Sequence, residues 1–276
     1  MSERKIVEHK GRIVRAEMRT NATPEKVWQA WSDPEKLAQW FPDRASGEAK
    51  TGGAMTWSFD QFGEFTYEVF EADPQKRLVL TGEIPGRPRF YLEILIEQGG
   101  GETLLRLVNS GFLEGAEWDE EYEGVNLGWE VMLQVLRLYV ESYFGEPRRQ
   151  IEVIRTARFE WEQVIPYFRE AERLSRWLTR EGGIPGIGEA CRLVLRQGEQ
   201  LEGRVLSHNA RQALLTWEQI RGTLNLSAFA SGPKALSPGE KGLCLRVSGW
   251  SLPPLIGDRL KKRLEAAADR LVAALS

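Results

Sequence analysis

Short runs of alternating apolar and polar residues occupy most of the first half of the chain. Alternation of this kind is typical of strands in a sheet that buries one face. Gly99-Gly100-Gly101 separates the last two runs and predicts a hairpin between them. The pattern therefore predicts an antiparallel meander with strands at residues 13–19, 55–59, 65–69, 77–81, 90–97 and 103–109.

Helical spacing precedes and follows this meander. Thr23-Pro24 and Asp33-Pro34 each place a capping side chain before a proline, which favours a helix start. Two short helices should therefore follow the first strand. Apolar residues then recur every three or four positions from Tyr122 to Tyr143, which predicts a long helix at the end of the half.

Gly124 and Gly128 lie within that helical stripe. A glycine in a helix interior costs about 1 kcal/mol relative to alanine, so the two residues call for a reason. Close approach of the helix to a sheet or to a bound molecule would supply one. Ordinary tight packing and a helix that begins only after Gly124 are the alternatives.

Part of the chain recurs at an offset of 137 residues. Five residues return identically and without a gap: Glu25, Val27, Glu35, Leu37 and Trp40 become Glu162, Val164, Glu172, Leu174 and Trp177. Trp31 and Phe41 return as Phe168 and Leu178, which keep the apolar character. An offset of this length is about one domain, so the sequence predicts two copies of one architecture.

The second half repeats the order of elements. Residues 146–149 predict a short polar linker, which puts the two domains at 1–146 and 149–276. A strand at 151–158 and a helix pair at 161–178 come next. Strand candidates and a closing helix complete the copy, at residues 190–196, 200–207, 213–219, 222–230, 243–250 and about 255–275. The predicted class is α+β.

Composition and charge bear on the partners and the cellular compartment that the sequence predicts. Hydrophobic residues make up 42% and charged residues 28%, and the net charge is −3, so no overall charge favours nucleic acid or an anionic membrane. The N-terminal residues lack the apolar core of a signal peptide, which predicts a cytoplasmic protein. Cys191 and Cys244 are expected to be reduced thiols.

The order of strand, two short helices, curved meander and long final helix resembles the START-like, or helix-grip, superfamily. Residues 12–144 are similar to its branch named after the activator of the heat-shock chaperone ATPase. The segments that carry the resemblance are Ala22-Thr23-Pro24-Glu25-Lys26-Val27-Trp28, Trp31, Asp33-Pro34-Glu35, Trp40-Phe41, Asn109-Ser110-Gly111-Phe112 and Gly128-Trp129-Glu130. The resemblance implies two tandem helix-grip domains, each a curved antiparallel sheet wrapped around a long C-terminal helix.

The chain departs from the family pattern in two places. Asn109 stands where family members often carry histidine, so no role of that histidine is transferred. The second half keeps the helix pair but lacks the Gly-Trp opening of the last helix, and it is interpreted as a diverged copy.

Catalytic and metal-binding patterns are weak in this sequence. His9 and His208 are its two histidines, and neither is expected to have the partners that a mechanism needs. Residues 114–123 form an acidic stretch, for which a solvated helix N-terminus is favoured over a cation site. We expect no catalytic residues, no cofactor and no metal.

Aromatic residues are the remaining signal, since six of the ten tryptophans fall in the first copy. The resemblance implies an internal cavity between sheet and long helix that holds an apolar ligand. The candidate ligand-binding residues are Trp31, Trp57, Phe59, Tyr67, Leu92, Asn109, Phe112, Trp129 and Met132. For each single tryptophan, ordinary core packing is the competing interpretation.

Three functions are compatible with this interpretation. The leading one is a non-enzymatic protein that holds a small hydrophobic molecule, in a stress-response or chaperone-cofactor-like role. A cyclase or dehydratase using the same cavity is the second, with Arg106, Tyr67, Glu93 and Asn109 as its polar residues. A protein-interaction module without ligand is the third, and a large exposed apolar patch would favour it. No nucleic-acid or membrane partner is expected.

Overall fold

The computed structural model describes residues 7–230 and 240–275. The chain divides into two compact units, residues 1–145 and residues 146–276. Each unit contains one seven-stranded sheet and three α-helices in its described part.

The first unit begins with a strand and a helix pair and ends with a long helix. Its strands are β1 Arg12–Thr20, β2 Arg44–Gly47, β3 Ala54–Phe59, β4 Gly63–Asp73, β5 Arg77–Gly82, β6 Phe90–Gly99 and β7 Glu102–Phe112. Its helices are α1 Pro24–Ser32, α2 Pro34–Leu37 and α3 Asp119–Leu138, which continues into a π-helical turn at Tyr139–Tyr143.

The second unit has the same order of elements. Its strands are β8 Arg148–Arg158, β9 Thr179–Glu181, β10 Ala190–Leu195, β11 Gln200–His208, β12 Gln212–Trp217, β13 Gly222–Phe229 and β14 Glu240–Trp250. Its helices are α4 Trp161–Arg169, α5 Ala171–Ser175 and α6 Pro254–Leu275.

The two sheets have one topology. The first runs β1-β7-β6-β5-β4-β3-β2 and the second β8-β14-β13-β12-β11-β10-β9, with the paired neighbours antiparallel. In both, the first strand therefore pairs with the last, and the others follow in sequence order. The predicted α+β tandem of one architecture is confirmed.

A tryptophan hydrogen bond closes the helix pair in both units. Trp40 donates from Nε1 to the carbonyl oxygen of Ala30 at 2.8 Å, and Trp177 donates to that of Tyr167 at 2.9 Å. Both tryptophans are fully buried. The donors and the acceptors of the two bonds are each 137 residues apart, which is the offset of the sequence repeat. The repeated sequence motif therefore forms the same hydrogen bond in both units.

The helix starts use different capping devices. Thr23 and Asp33 accept hydrogen bonds from backbone N–H groups of α1 and α2, each ahead of a proline, as the sequence predicts. In the second unit Glu160 and Gln163 form a reciprocal capping box at the start of α4. The local chemistry has diverged while the helix positions are retained.

Two short strands and part of the linker differ from the sequence prediction. β2 and β9 were not predicted, because four and three residues are too few to show an alternating pattern. The linker prediction is wrong for Arg148 and Arg149, which already pair with Trp250 and Gly249 in the second sheet.

The structure excludes a late helix start for both helix glycines and a close approach to the sheet for Gly128. α3 starts at Asp119, so Gly124 and Gly128 both lie within it. A Cβ atom built on Gly128 would meet no atom within 4 Å, so the helix makes no close approach to the sheet at this point.

Replacing Trp40 or Trp177 by phenylalanine should destabilise the unit that contains it. The buried carbonyl of Ala30 or Tyr167 would lose its donor, at a cost of about 1–3 kcal/mol. Chemical denaturation of Trp40→Phe and Trp177→Phe measures the free energy of unfolding. Trp118→Phe, at a half-buried position, is the control and should change it by less. Equal effects of all three substitutions would contradict a role for the bond.

Gly128→Ala should stabilise the first unit by about 0.5–1 kcal/mol, because alanine favours the helix and its methyl group meets no neighbour. Gly111→Ala is the opposing control. Gly111 has a φ of +97°, and a Cβ there would lie 2.8 Å from the Cα of Phe90, so this variant should lose stability. Thermal denaturation measures the melting temperatures of both variants. A lower melting temperature for Gly128→Ala than for the wild type would show that the added methyl group does meet a neighbour.

Candidate functional site

The concave face of the first sheet carries a continuous set of large side chains. Residues directly opposite each other on antiparallel strands share a face. Met55 pairs with Tyr67, and Trp57 pairs with Phe65. Leu92 pairs with Leu80 on one side and with Asn109 on the other. The predicted strand phase, with Trp57, Tyr67 and Leu92 on one face, agrees with this register.

An aromatic cluster lies between this face, the helix pair and α3. Trp31 lies at its centre, with ring centroids 4.8 Å from Trp40, 6.5 Å from Trp57 and 6.0 Å from Trp129. Phe41 completes it, at 5.4 Å from Trp57 and 5.2 Å from Trp129. Side chains from α1, α3, β3 and the end of the helix pair therefore meet in one place.

The cluster continues from the core to the surface along two lines of rings. One runs from Trp57 to Tyr67 at 4.8 Å and on to Phe90 at 5.6 Å. The other runs from Phe41 to Phe59 at 5.4 Å and on to Phe65 at 6.2 Å. Phe65 is 44% exposed, whereas Trp31 is fully buried. Aromatic surface thus extends without interruption from solvent to the centre of the domain.

Further apolar side chains lie in solvent at the same end of the sheet. Phe62, at the tip of the β3–β4 hairpin, is 36% exposed, and Ile84, in the β5–β6 loop, is 48% exposed. Arg87 of that loop stacks on Trp118 and donates to Glu121 of α3 at 3.0 Å. The loop is therefore held beside the start of the long helix.

Hydrogen-bond donors outnumber acceptors inside the cluster. Trp129 donates from Nε1 to Oδ1 of Asn109 at 3.1 Å, and Asn109 itself donates to the carbonyl of Tyr91. The buried Nε1 atoms of Trp31 and Trp57 have no acceptor among the described residues. Burial raises the pKa of Tyr67 to about 12, so its hydroxyl stays protonated at neutral pH.

The predicted site residues fall into two groups. Trp31, Trp57, Phe59, Tyr67 and Trp129 meet in the cluster, Asn109 bonds to Trp129, and Leu92 is buried on the same face. Phe112 instead contacts Tyr122 at 5.8 Å, and Met132 is a half-buried residue of α3.

Four members of the cluster are absent from the predicted site residues: Trp40, Phe41, Phe65 and Phe90. Trp40 and Phe41 are adjacent in the sequence, where apolar packing of the helix pair is enough to explain both. The strand phase of Phe65, which is that of Trp57, was the one available signal. Phe90 begins β6 and reaches Tyr67 across the sheet end, which no local pattern reveals.

Two of the four polar residues suggested for an enzyme lie on the opposite face of the sheet. Glu93 alternates with Leu92 and pairs with Arg77, with Nε and Oε1 2.6 Å apart. Arg106 is half-exposed and bonds to Glu97 at 2.7 Å. Only Tyr67 and Asn109 of that set face the aromatic cluster.

Both ring nitrogens of His9 have hydrogen-bond partners, which the sequence did not predict. Its Nδ1 lies 2.8 Å from Oγ of Ser110, and its Nε2 lies 3.2 Å from Oε2 of Glu93. Glu93 also binds Arg77, so His9 belongs to a buried polar network on the convex face. The N-terminal segment has no periodic pattern, which is why its position could not be predicted.

The acidic stretch at residues 114–123, which runs into the first turn of α3, takes part in ion pairs. Asp119 pairs with Arg12, and Glu121 pairs with Arg87. Within residues 7–230 and 240–275, no group of three or more potential ligands could hold a metal ion.

Both cysteines, in the second unit, are buried and free. Burial raises the pKa of Cys191 to about 11 and that of Cys244 to about 12.

The second unit has leucine at three of the corresponding positions. β3 and β10 both have six residues, and end-to-end alignment places Leu193 and Leu195 where the first unit has Trp57 and Phe59. Both leucines are buried in the core of the second unit, together with Leu178 at the position of Phe41. The continuous aromatic cluster is therefore a property of the first unit.

His9→Ala should lower the free energy of unfolding by about 1–2 kcal/mol, because Ser110 and Glu93 lose a hydrogen-bond partner in a buried setting. His208→Ala is the matched control, since the His208 side chain makes no hydrogen bond among the described residues. Urea denaturation of the two variants compares them directly. Equal stabilities of the two variants would argue against the network.

Comparison with known proteins places the first unit. The family model described as Activator of Hsp90 ATPase homolog 1-like protein matches residues 21–141. A comparison with curated protein sequences finds no match. No helix in the described part of the chain has the length and apolar content needed to cross a membrane.

Solved structures similar to this chain include one-domain and two-domain proteins. The Aha1 dimer from Colwellia psychrerythraea is 22% identical over 47% of this chain and 96% of its own, with a TM-score of 0.42. DynU16, from the dynemicin biosynthetic locus, is 19% identical over 95% and 97%, with a TM-score of 0.42. The di-domain ARO/CYC protein BexL is 11% identical over 96% and 99%, with a TM-score of 0.43.

The sheet order, the helix pair and the long final helix occur twice, and the family model covers the first occurrence from the end of β1 to the end of the long helix. The chain is a tandem of one START-like fold, and residues 21–141 of its first copy match the family model of Activator of Hsp90 ATPase homolog 1-like proteins.

Proposed function

We propose that the first domain binds a small, flat, apolar molecule that carries a hydrogen-bond acceptor, and that it does so without converting it. The ligand would lie among the rings of the cluster, between the concave face of the sheet and α3. The aromatic cluster that reaches from Trp31 to exposed Phe65 is the observation that carries this proposal.

The aromatic rings of the cluster support a ligand that is flat and apolar. Aromatic side chains offer large apolar surfaces and favour offset or edge-on contact with other rings. Phe59, Tyr67 and Phe90 are only half-buried, although each touches another ring of the cluster. A ligand that covered them would remove apolar surface from water, which stabilises the complex.

Two buried indole N–H groups without an acceptor support the proposal that the ligand carries a hydrogen-bond acceptor. A buried N–H group without an acceptor costs about 1–3 kcal/mol, and Trp31 and Trp57 each bury one. The ring of Tyr67, whose hydroxyl group stays protonated, lies 4.8 Å from that of Trp57. A carbonyl or ether oxygen on the ligand would satisfy donors that the described protein residues leave open.

The same groups argue against acid–base chemistry. A general acid or base works best with a pKa near the operating pH, whereas the pKa of Tyr67 is raised to about 12. Asn109 does not titrate and already bonds to Trp129. Binding without conversion therefore suits this face better than catalysis.

A protein-interaction role is the second candidate, favoured by the exposed side chains of Phe62, Phe65 and Ile84. In that role these residues would contact a protein partner, in keeping with the chaperone cofactor that names the family. The ligand proposal instead makes them the rim of the binding site. Replacing Phe62 and Ile84 by serine would leave a ligand deep in the cluster bound but weaken a partner that docks on the rim.

Fluorenone and fluorene form a matched test pair, since they differ by one carbonyl oxygen on the same ring system. We expect fluorenone to bind the full chain more tightly, to quench tryptophan emission and to raise the melting temperature with concentration. Trp57→Phe keeps an aromatic ring but removes the N–H group. In this variant the preference for fluorenone should fall by about fivefold to tenfold.

Trp217→Phe is the control, because Trp217 lies in the second domain and donates to the carbonyl of Gln200 at 3.1 Å. It should leave the binding of both compounds unchanged. If neither compound binds the wild-type chain, the ligand proposal fails. If both bind equally before and after Trp57→Phe, the assignment of the indole donor fails.

A further inference from the structure

A cleft of about 440 Å³ lies in the second domain between α4, α5 and the last turn of α6. This volume is within the range of small-molecule sites, roughly 300–1,000 Å³. The aromatic cluster belongs to the first domain, so the cleft is a separate feature. Its walls include Glu162, Pro166 and Tyr167 of α4, Arg173 of α5, and Ala274 and Leu275 of α6.

A hydrogen bond joins two walls of the cleft. The hydroxyl of Tyr167 donates to the carbonyl oxygen of Ala274 at 2.6 Å. This carbonyl belongs to the last turn of α6, where helix carbonyls have no intrahelical donor. The bond therefore holds the end of α6 beside α4 and fixes the shape of the cleft.

Arg173 supplies a positive charge in the wall of the cleft. Its guanidinium carbon lies 5.3 Å from the ring centroid of Tyr167, and its Nη1 atom lies 3.4 Å from the hydroxyl oxygen of that ring. It pairs with no carboxylate of the described residues, and the neighbouring Glu172 accepts from Arg176 at 3.0 Å. Most N–H donors of Arg173 are therefore available to a ligand.

Glu162 supplies a negative charge in the same cleft. Within residues 7–230 and 240–275, its carboxylate makes no ion pair and no hydrogen bond. Glu162 and Arg173 thus both line the cleft without pairing with each other. A ligand that carries both charges would complement these two walls, whereas an ion of one sign would be repelled by one of them.

The first domain has an engaged carboxylate at the position of Glu162. There Glu25, 137 residues earlier, accepts from Nε2 of Gln29 at 3.3 Å, one helical turn away. At the position of Gln29 the second domain has Pro166, which has neither a side-chain donor nor a backbone N–H group. The exchange of glutamine for proline therefore removes the partner of the glutamate.

Pro166 is disfavoured by the helix in which it lies. It is the sixth of the nine residues of α4, beyond the first turn. At this point a proline removes a helix hydrogen bond, here the one that residue 166 would donate to the backbone carbonyl of Glu162. Both the carboxylate and the backbone carbonyl of Glu162 thus lack donors that a glutamine at position 166 would provide.

We propose that this cleft binds an α-amino acid with an apolar side chain. The guanidinium of Arg173 presents planar N–H donors that match the two oxygens of a carboxylate. The carboxylate of Glu162 accepts from the ammonium group, and the apolar side chain packs on Pro166 and Leu275. The site belongs to the second domain and does not depend on ligand binding by the first.

Leucine, isocaproate and isoamylamine form a matched series of probes. Isocaproate is leucine without its ammonium group, and isoamylamine is leucine without its carboxylate. Calorimetric titration of the full chain at neutral pH measures the Kd of each compound. We expect leucine to bind about tenfold more tightly than either analogue, because only leucine engages both charges.

Two substitutions assign the charges. Glu162→Gln should weaken leucine binding by about fivefold to tenfold and leave isocaproate binding unchanged, since isocaproate has no ammonium group. Arg173→Gln should weaken leucine binding by a similar factor and leave isoamylamine binding unchanged. Glu25→Gln is the matched control, because it removes the equivalent charge of the first domain and should leave the binding of all three compounds unchanged.

Three results would overturn the proposal. The first is that leucine does not bind the wild-type chain, or binds no more tightly than both analogues. The second is that Glu162→Gln weakens isocaproate binding as much as leucine binding. The third is that Glu25→Gln weakens leucine binding as much as Glu162→Gln does.

Pro166→Gln separates binding from folding. Glutamine restores a helix hydrogen bond and offers its amide to Glu162 one turn away, so the variant should melt no lower than the wild type. Leucine should nevertheless bind it more weakly, because the carboxylate is then engaged. A variant that melts no lower and binds leucine as tightly as the wild type would contradict the role given to the unpaired carboxylate.

Discussion

The bond from a buried tryptophan indole to the backbone carbonyl ten residues earlier sets the geometry of both domains. It ties the second short helix to the first, and the residues next to its two ends point into the domain. In the first domain these are Trp31, which follows Ala30, and Phe41, which follows Trp40. Both touch Trp57 and Trp129. The position of the aromatic cluster therefore depends on the hydrogen bond from Trp40 to Ala30, whose donor is not part of the proposed binding surface.

The same hydrogen bond supports a different interior in the second domain. Phe168 and Leu178 follow Tyr167 and Trp177, and both pack into the core of the second unit. The carbonyl groups of Trp177 and Leu178, at the end of the helix pair, accept from the side chain of Arg270 and from the backbone N–H of Arg196. The end of the helix pair thus contacts aromatic rings in the first copy and two arginines in the second.

Much of this fold could be predicted because its signals are local. The cap and proline at Thr23-Pro24, and the spacing along α3, specify elements without reference to the rest of the chain. The site could be predicted only in part. Strand phase places Trp57 and Tyr67 on one face, but the reach of Phe41 to Trp129 exists only after folding. The partners of His9 lie about a hundred residues away, and no pattern in its own segment announces them.

Duplication explains how a single fold can carry two such different interiors. The sheet order and the tryptophan hydrogen bond are kept in both copies, so each domain can fold around its own core. Side chains that only line the interior are then free to change. Trp57 and its counterpart Leu193 occupy the same strand position, yet Leu193 packs into a filled core while Trp57 buries an open N–H group. Packing alone would favour the leucine, because an unpaired donor destabilises a domain. The proposed ligand, with an acceptor for this N–H group, would offset that cost.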